Sequence, residues 1–135
     1  MPYASLRRQS RELALKLLHQ IDFTKTALPQ SFEDFKSAFV FSDKVWPYAT
    51  DLILGVQKNK EDILKIIEDK SKNWKLSRIA TVDLHILSIA VFELKFSKEN
   101  TDKATIIDEA LEVAKKYSSE KSSSFINGIL DQVQK

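Results

Sequence analysis

Apolar residues recur along this chain at intervals of three and four, in blocks separated by short polar stretches, which is the period of amphipathic helices. Leu13, Ala14, Leu17, Leu18 and Ile21 form the first stripe and predict a helix over residues 6–23 with Ser5 as its N-cap. A loop at 24–30 contains Pro29. Ser31 followed by Asp34 makes a capping-box variant ahead of a short helix with Phe32, Phe35 and Phe39 on one face. Ser42 and Asp43 break that helix. Pro47 suits the first turn of the next, which carries Tyr48, Leu52, Ile53 and Val56. Asn59 is placed to cap a further helix with Ile63, Leu64, Ile66 and Ile67 inward.

A polar connection at 72–75 leads into the most apolar segment, 76–96. Its residues Ile79, Val82, Ile86, Leu87, Ile89, Ala90, Val91, Phe92 and Leu94 cover most of a helical circumference. Such a helix belongs at the centre of a bundle, packed on several sides. After a charged loop at 97–103, residues 104–117 are amphipathic through Ile106, Ile107, Ala110, Leu111 and Ala114. The serine-rich stretch 118–124, interrupted by Glu120 and Lys121, reads as a loop and cap. A last helix turns Phe125, Ile126, Ile129, Leu130 and Val133 inward.

Composition agrees with an all-α fold. Two glycines and three prolines in 135 residues are too few for a sheet of tight hairpins. Both glycines, Gly55 and Gly128, fall inside helical patterns, where each costs about 1 kcal/mol relative to alanine. Close approach of a neighbouring helix is the expected return at both, with a local kink or break as the alternative. The chain has no cysteine, which excludes disulfides and thiolate-held zinc. No apolar run reaches membrane-spanning length, and residues 1–6 carry no signal-peptide core, so the sequence reads as a cytoplasmic protein.

Catalytic chemistry is hard to find. There is no Gly-rich phosphate loop, no GxSxG and no HExxH. His19 and His85 lie on different predicted helices and read as structural. Glu61, Asp62, Glu68 and Asp69 read as solvated surface charge. Neither an enzyme nor a cofactor or metal is expected. What remains is a cluster of three of the four arginines, Arg7, Arg8 and Arg11, at the start of one helix. The net charge is only +2, so any polyanion site must come from such clustering. The helical wheel puts these arginines beside the leucine stripe, where the helix can dock and still present them at one edge. One reading is a solvated face paired with Glu12 and nearby acids. The other is phosphate contact with guanidinium stacking on unpaired bases, with Lys16 extending the basic edge. About three strong phosphate contacts give modest affinity, which points to an adaptor working with a partner.

The blocks "RRQSRELALKLL" from Arg7, "LILGVQKN" from Leu52, "WKLSRIATVDLHILSIAVFEL" from Trp74, "IIDEALEVAKKY" from Ile106 and "FINGILD" from Phe125 resemble, in order and spacing, the NusB family of bacterial transcription antitermination factors. The resemblance covers nearly the whole chain. It implies about seven helices in two packed bundles, forming one RNA-binding domain over 1–135; the polar connection at 72–75 leaves room for two subdomains, 1–72 and 76–135, sharing a core. It implies binding of boxA-type single-stranded RNA together with the ribosomal protein NusE. It further implies joining the RNA polymerase elongation complex with other Nus factors, to suppress termination in ribosomal RNA operons. By the same resemblance Arg7, Arg8 and Arg11 contact RNA and Asp83 faces NusE. The chain departs from the family at His19 (often tyrosine), Ser88 (often arginine) and Ser118 and Ser119 (usually a small-glycine turn). Lys121 stands where an acid is common and is expected to add to the RNA surface. The free protein is also open to pairing with itself. Two other readings stand beside this one: a helical scaffold whose arginines hold an acidic protein, and an RNA-binding module acting with a ribosomal RNA methyltransferase.

Overall fold

Residues 81–95 have no polar face wide enough to meet water, and the fold is organised around that fact. The computed structural model describes residues 2–24, 44–72 and 75–135. Its helices are α1 (Pro2–Thr24), α2 (Trp46–Lys58), α3 (Lys60–Ser71), α4 (Thr81–Lys95), α5 (Lys103–Tyr117) and α6 (Glu120–Asp131), with a 3-10 turn at Leu76–Arg78 before α4. No strand occurs among the described residues. Helices α1, α2, α3, α5 and α6 all pack on α4, which buries even Asp83, His85, Ser88 and Glu93. One continuous core takes Leu13 and Leu17 from α1, Leu52 and Ile53 from α2, Ile63 and Ile67 from α3, and Leu87 and Val91 from α4. Ile106 of α5 and Ile126 and Leu130 of α6 complete it. The expected short helix with Phe32, Phe35 and Phe39, its Ser31–Asp34 cap, Pro29 and Trp74 lie outside the described residues.

Several local expectations are corrected. Helix α1 begins at Pro2, so Ser5 lies inside it and is no N-cap; a proline in the first turn surrenders an N–H that has no partner there anyway. Asn59 does not cap α3 with its side chain. Its amide donates to the Gly55 carbonyl at 2.8 Å and closes α2 instead. The segment 76–96 is not one helix: Ile79 and Ala80 are extended between the 3-10 turn and α4. That break turns Ile79 into the core. The serine-rich stretch is mostly helical, since Ser119 caps α6 by accepting the Ser122 N–H at 3.2 Å and α6 starts at Glu120.

The two glycines differ. A Cβ on Gly55 would lie 2.1 Å from a Phe92 ring carbon, so the α2 backbone rests directly on the α4 phenyl group. At Gly128 no atom of the described residues beyond its own turn of helix lies within 4 Å of such a Cβ, and the expected close approach is absent among them.

Candidate nucleic-acid interface

Helix α1 carries its charges at helical spacing. Arg7 and Arg11 lie one turn apart, and Arg8, Glu12 and Lys16 follow one another at four-residue steps along a face that meets α5. Arg11 is buried rather than presented at the edge: its side chain is 7% exposed and that of Glu93, its partner on α4, is 2% exposed. Two parallel bonds join them, Nε to Oε1 at 2.7 Å and Nη2 to Oε2 at 2.8 Å. Glu109 of α5 accepts a further N–H from Arg11 at 3.3 Å, and the Tyr48 hydroxyl donates to Glu93 Oε2 at 2.9 Å. Burial works against the Arg11 charge, but the bonds and charge of Glu93 outweigh it and hold the guanidinium above its ordinary pKa. Burial and the Glu93 carboxylate push the Tyr48 phenol up, so it remains a neutral donor.

Arg7 and Arg8 stay closer to solvent. Arg7 pairs with Glu99 and lies over the Tyr48 ring, 3.6 Å from its centroid. Arg8, whose side chain is 46% exposed, reaches Glu109 through Nη2 at 2.5 Å and Nε at 3.2 Å. The arginines therefore do pair with acids, on α4, α5 and the loop between them.

Glu12 serves a different partner set. It accepts from Lys116 Nζ and from the Tyr117 hydroxyl, each at 2.7 Å. Partial burial raises its pKa, but these two bonds prevail and hold the carboxyl below its ordinary value. The ammonium groups of Lys16 and Lys116 lie 5.6 Å and 5.5 Å from the centre of the Tyr117 ring.

Asp83 sits at the other end of α4, ten residues from Glu93 and so about 15 Å along the axis. It is buried. One carboxylate oxygen accepts the Ser118 hydroxyl at 2.6 Å and the other accepts the Ser122 hydroxyl at 2.8 Å. Ser118, one of the departures from the family pattern, thus anchors the α5–α6 junction to α4. Exposed Lys121 lines a groove of about 310 Å³ with Arg78, Asp83, Ser122 and Phe125. Among the described residues the arginines and the Asp83–Lys121 region share no contact residue: the former meet Glu93, Glu99 and Glu109, and Asp83 meets Ser118 and Ser122. His19 and His85 meet edge to face with centroids 6.1 Å apart, and the Ser88 hydroxyl turns back to the Leu84 carbonyl.

Sequence reasoning missed Tyr48, Glu93, Glu109, Lys116 and Tyr117. Only Glu93 carried a signal: a carboxylate inside the most apolar helix needs a buried cationic partner. Among the described residues no group of three or more His, Cys, Asp or Glu is arranged to hold a metal ion, and no helix is long and apolar enough to cross a membrane.

Fold and site define an all-helical protein built on one central apolar helix, with a seam of basic and aromatic side chains where its first helix meets the fifth. The chain belongs to the NusB family, whose sequence model matches residues 8–135. It is 45% identical over 132 residues to the transcription antitermination protein NusB of Bdellovibrio bacteriovorus, covering 96% of this chain and 95% of that one. Among solved structures, T. maritima NusB superposes with a TM-score of 0.81 at 34% identity, covering 93% of this chain and 88% of the other. A structure of the antitermination factors NusB and NusE in complex with double-stranded RNA matches with a TM-score of 0.79 at 26% identity, covering 94% of both chains.

Proposed function

We propose that this protein is an RNA-binding antitermination adaptor. In this reading it binds boxA-type single-stranded RNA together with NusE in the cytoplasm. The pair then joins elongating RNA polymerase with other Nus factors and suppresses premature termination, notably in ribosomal RNA operons. The observation that carries the proposal is the row Arg8, Lys116 and Lys16 along the seam of α1 and α5, in a chain whose relatives include a NusB–NusE–RNA complex. Arg7, Arg8, Lys16 and Lys121 are the side chains we assign to RNA contact. Arg11, locked between Glu93 and Glu109, positions the seam from beneath. Asp83 acts on the NusE side by ordering the α5–α6 junction through Ser118 and Ser122.

Assembly is the mechanism in this reading, through exchange of non-covalent contacts. RNA phosphate has to take Arg8 from Glu109, so each phosphate contact is an exchange and affinity of the free protein stays modest. NusE adds basic surface to the same RNA, and by linkage RNA tightens the protein pair by the same factor.

The test is fluorescence anisotropy of labelled boxA-type RNA across a salt series, with and without NusE. Tighter binding is expected with NusE. The Arg7→Gln/Arg8→Gln variant should lower the log–log salt slope by about 1.4, or about 0.7 for each of two lost contacts to a single strand. Glu109→Gln, which frees Arg8, should tighten binding a few-fold. Weak binding of equal, salt-insensitive strength by all variants would overturn the proposal.

A further inference from the structure

We propose that Tyr117, with Lys16 and Lys116, forms a stacking subsite for one unpaired base of single-stranded RNA, the two ammonium groups taking its flanking phosphates. The inference rests on the RNA-binding reading and adds residues to it.

Tyr117 closes α5 and stands half-buried against α1. Its ring is held in place: the hydroxyl donates to Glu12 Oε1 at 2.7 Å. Burial, then the Glu12 bond, push the phenol up, so it stays a neutral donor. Two ammonium groups from different helices lie at its ring, 5.6 Å and 5.5 Å from the centroid, and that of Lys116 is also bonded to Glu12 at 2.7 Å. The other tyrosine of the interface is differently committed. Arg7 covers the Tyr48 ring at 3.6 Å, and its hydroxyl belongs to the buried Arg11–Glu93 pair.

A fixed aromatic ring flanked by mobile positive charges is the usual platform for a nucleobase in proteins that bind single strands. A base face replaces the cation–π contacts; the Lys16 ammonium moves to a phosphate beside that base, and Lys116 exchanges its bond with Glu12 for one with a second phosphate. Stacking of this kind tolerates any base, so the subsite adds affinity rather than sequence choice. It also extends the track begun at Arg8, since Lys16 lies eight residues further along α1, about 12 Å.

The probe is a single-stranded boxA-type RNA carrying 2-aminopurine, whose fluorescence is quenched on stacking, titrated in the presence of NusE at low salt. Wild type and Tyr117→Phe should bind and quench. Tyr117→Leu should bind about tenfold more weakly and lose the quench at one base position. Lys16→Gln/Lys116→Gln, one half-buried and one exposed, should lower the salt slope by about 1.4. Unchanged binding and quenching by Tyr117→Leu, with Arg8→Gln still impaired, would overturn the subsite and leave the RNA reading standing. Should Tyr117→Leu fail to fold by circular dichroism, the lysine pair decides, and an unchanged slope overturns the subsite. Absence of any RNA binding by wild type overturns both.

Discussion

Arg11 and Arg8 lie three residues apart on one helix and have different fates. A guanidinium with matched carboxylates can be buried, because its fork meets both oxygens of Glu93 at once. Removing one partner of such a pair leaves the other charged and dry. Arg11→Met should therefore destabilise the protein by about 3–5 kcal/mol in urea unfolding, and adding Glu93→Leu should restore most of the loss. Arg8→Gln should leave the urea midpoint nearly unchanged, because its pair with Glu109 is half-exposed. This contrast separates the arginine that holds the seam from those assigned to RNA. The wheel that placed all three at an edge was correct for Arg7 and Arg8. It could not place Arg11, because its partners lie 82 and 98 residues away in sequence.

The helices themselves were legible where periodicity was long and unbroken. Their boundaries were decided by neighbours. Gly55 and Gly128 make the point at the scale of the element, being the same residue in similar helical patterns with opposite surroundings. Gly55→Ala gains about 1 kcal/mol of helix propensity but forces a methyl group into Phe92, an overpacking that costs about 1–3 kcal/mol. A lower melting temperature is expected. Gly128→Ala meets no atom of the other described elements and should raise stability by about 0.5–1 kcal/mol. Equal shifts for the two variants in thermal unfolding would contradict the packing of α2 on α4. Asn59 and Ser119 show the same dependence on context: each is a capping residue type between helical patterns, and which helix end each satisfies is set by how the flanking helices fold back.

At the scale of the molecule, α1 is fastened to α5 by contacts that titrate. Glu12 has its pKa lowered in the folded chain, so its charged form is favoured by folding. Its contribution is complete above the ordinary glutamate value, about 4.3, and is lost as pH falls through the lower folded value. Melting temperature measured from pH 6 to pH 3 should fall more steeply for wild type than for Glu12→Gln. The two should differ at neutral pH and converge in acid. Parallel curves would mean that the Lys116 and Tyr117 bonds to Glu12 do not bear on stability.

The sequence by itself determined the helical class, the central place of the apolar segment 76–96, the inward faces and the location of the basic cluster. Those follow from periodicity and residue chemistry, which are local. Tertiary structure alone decided that Arg11 is buried while Arg8 is not, that Asp83 spends both oxygens on Ser118 and Ser122, and that Tyr117 stands between two lysines. Each depends on side chains brought together from distant helices, and the strength of a charge or hydrogen bond depends on the burial and partners that only packing supplies.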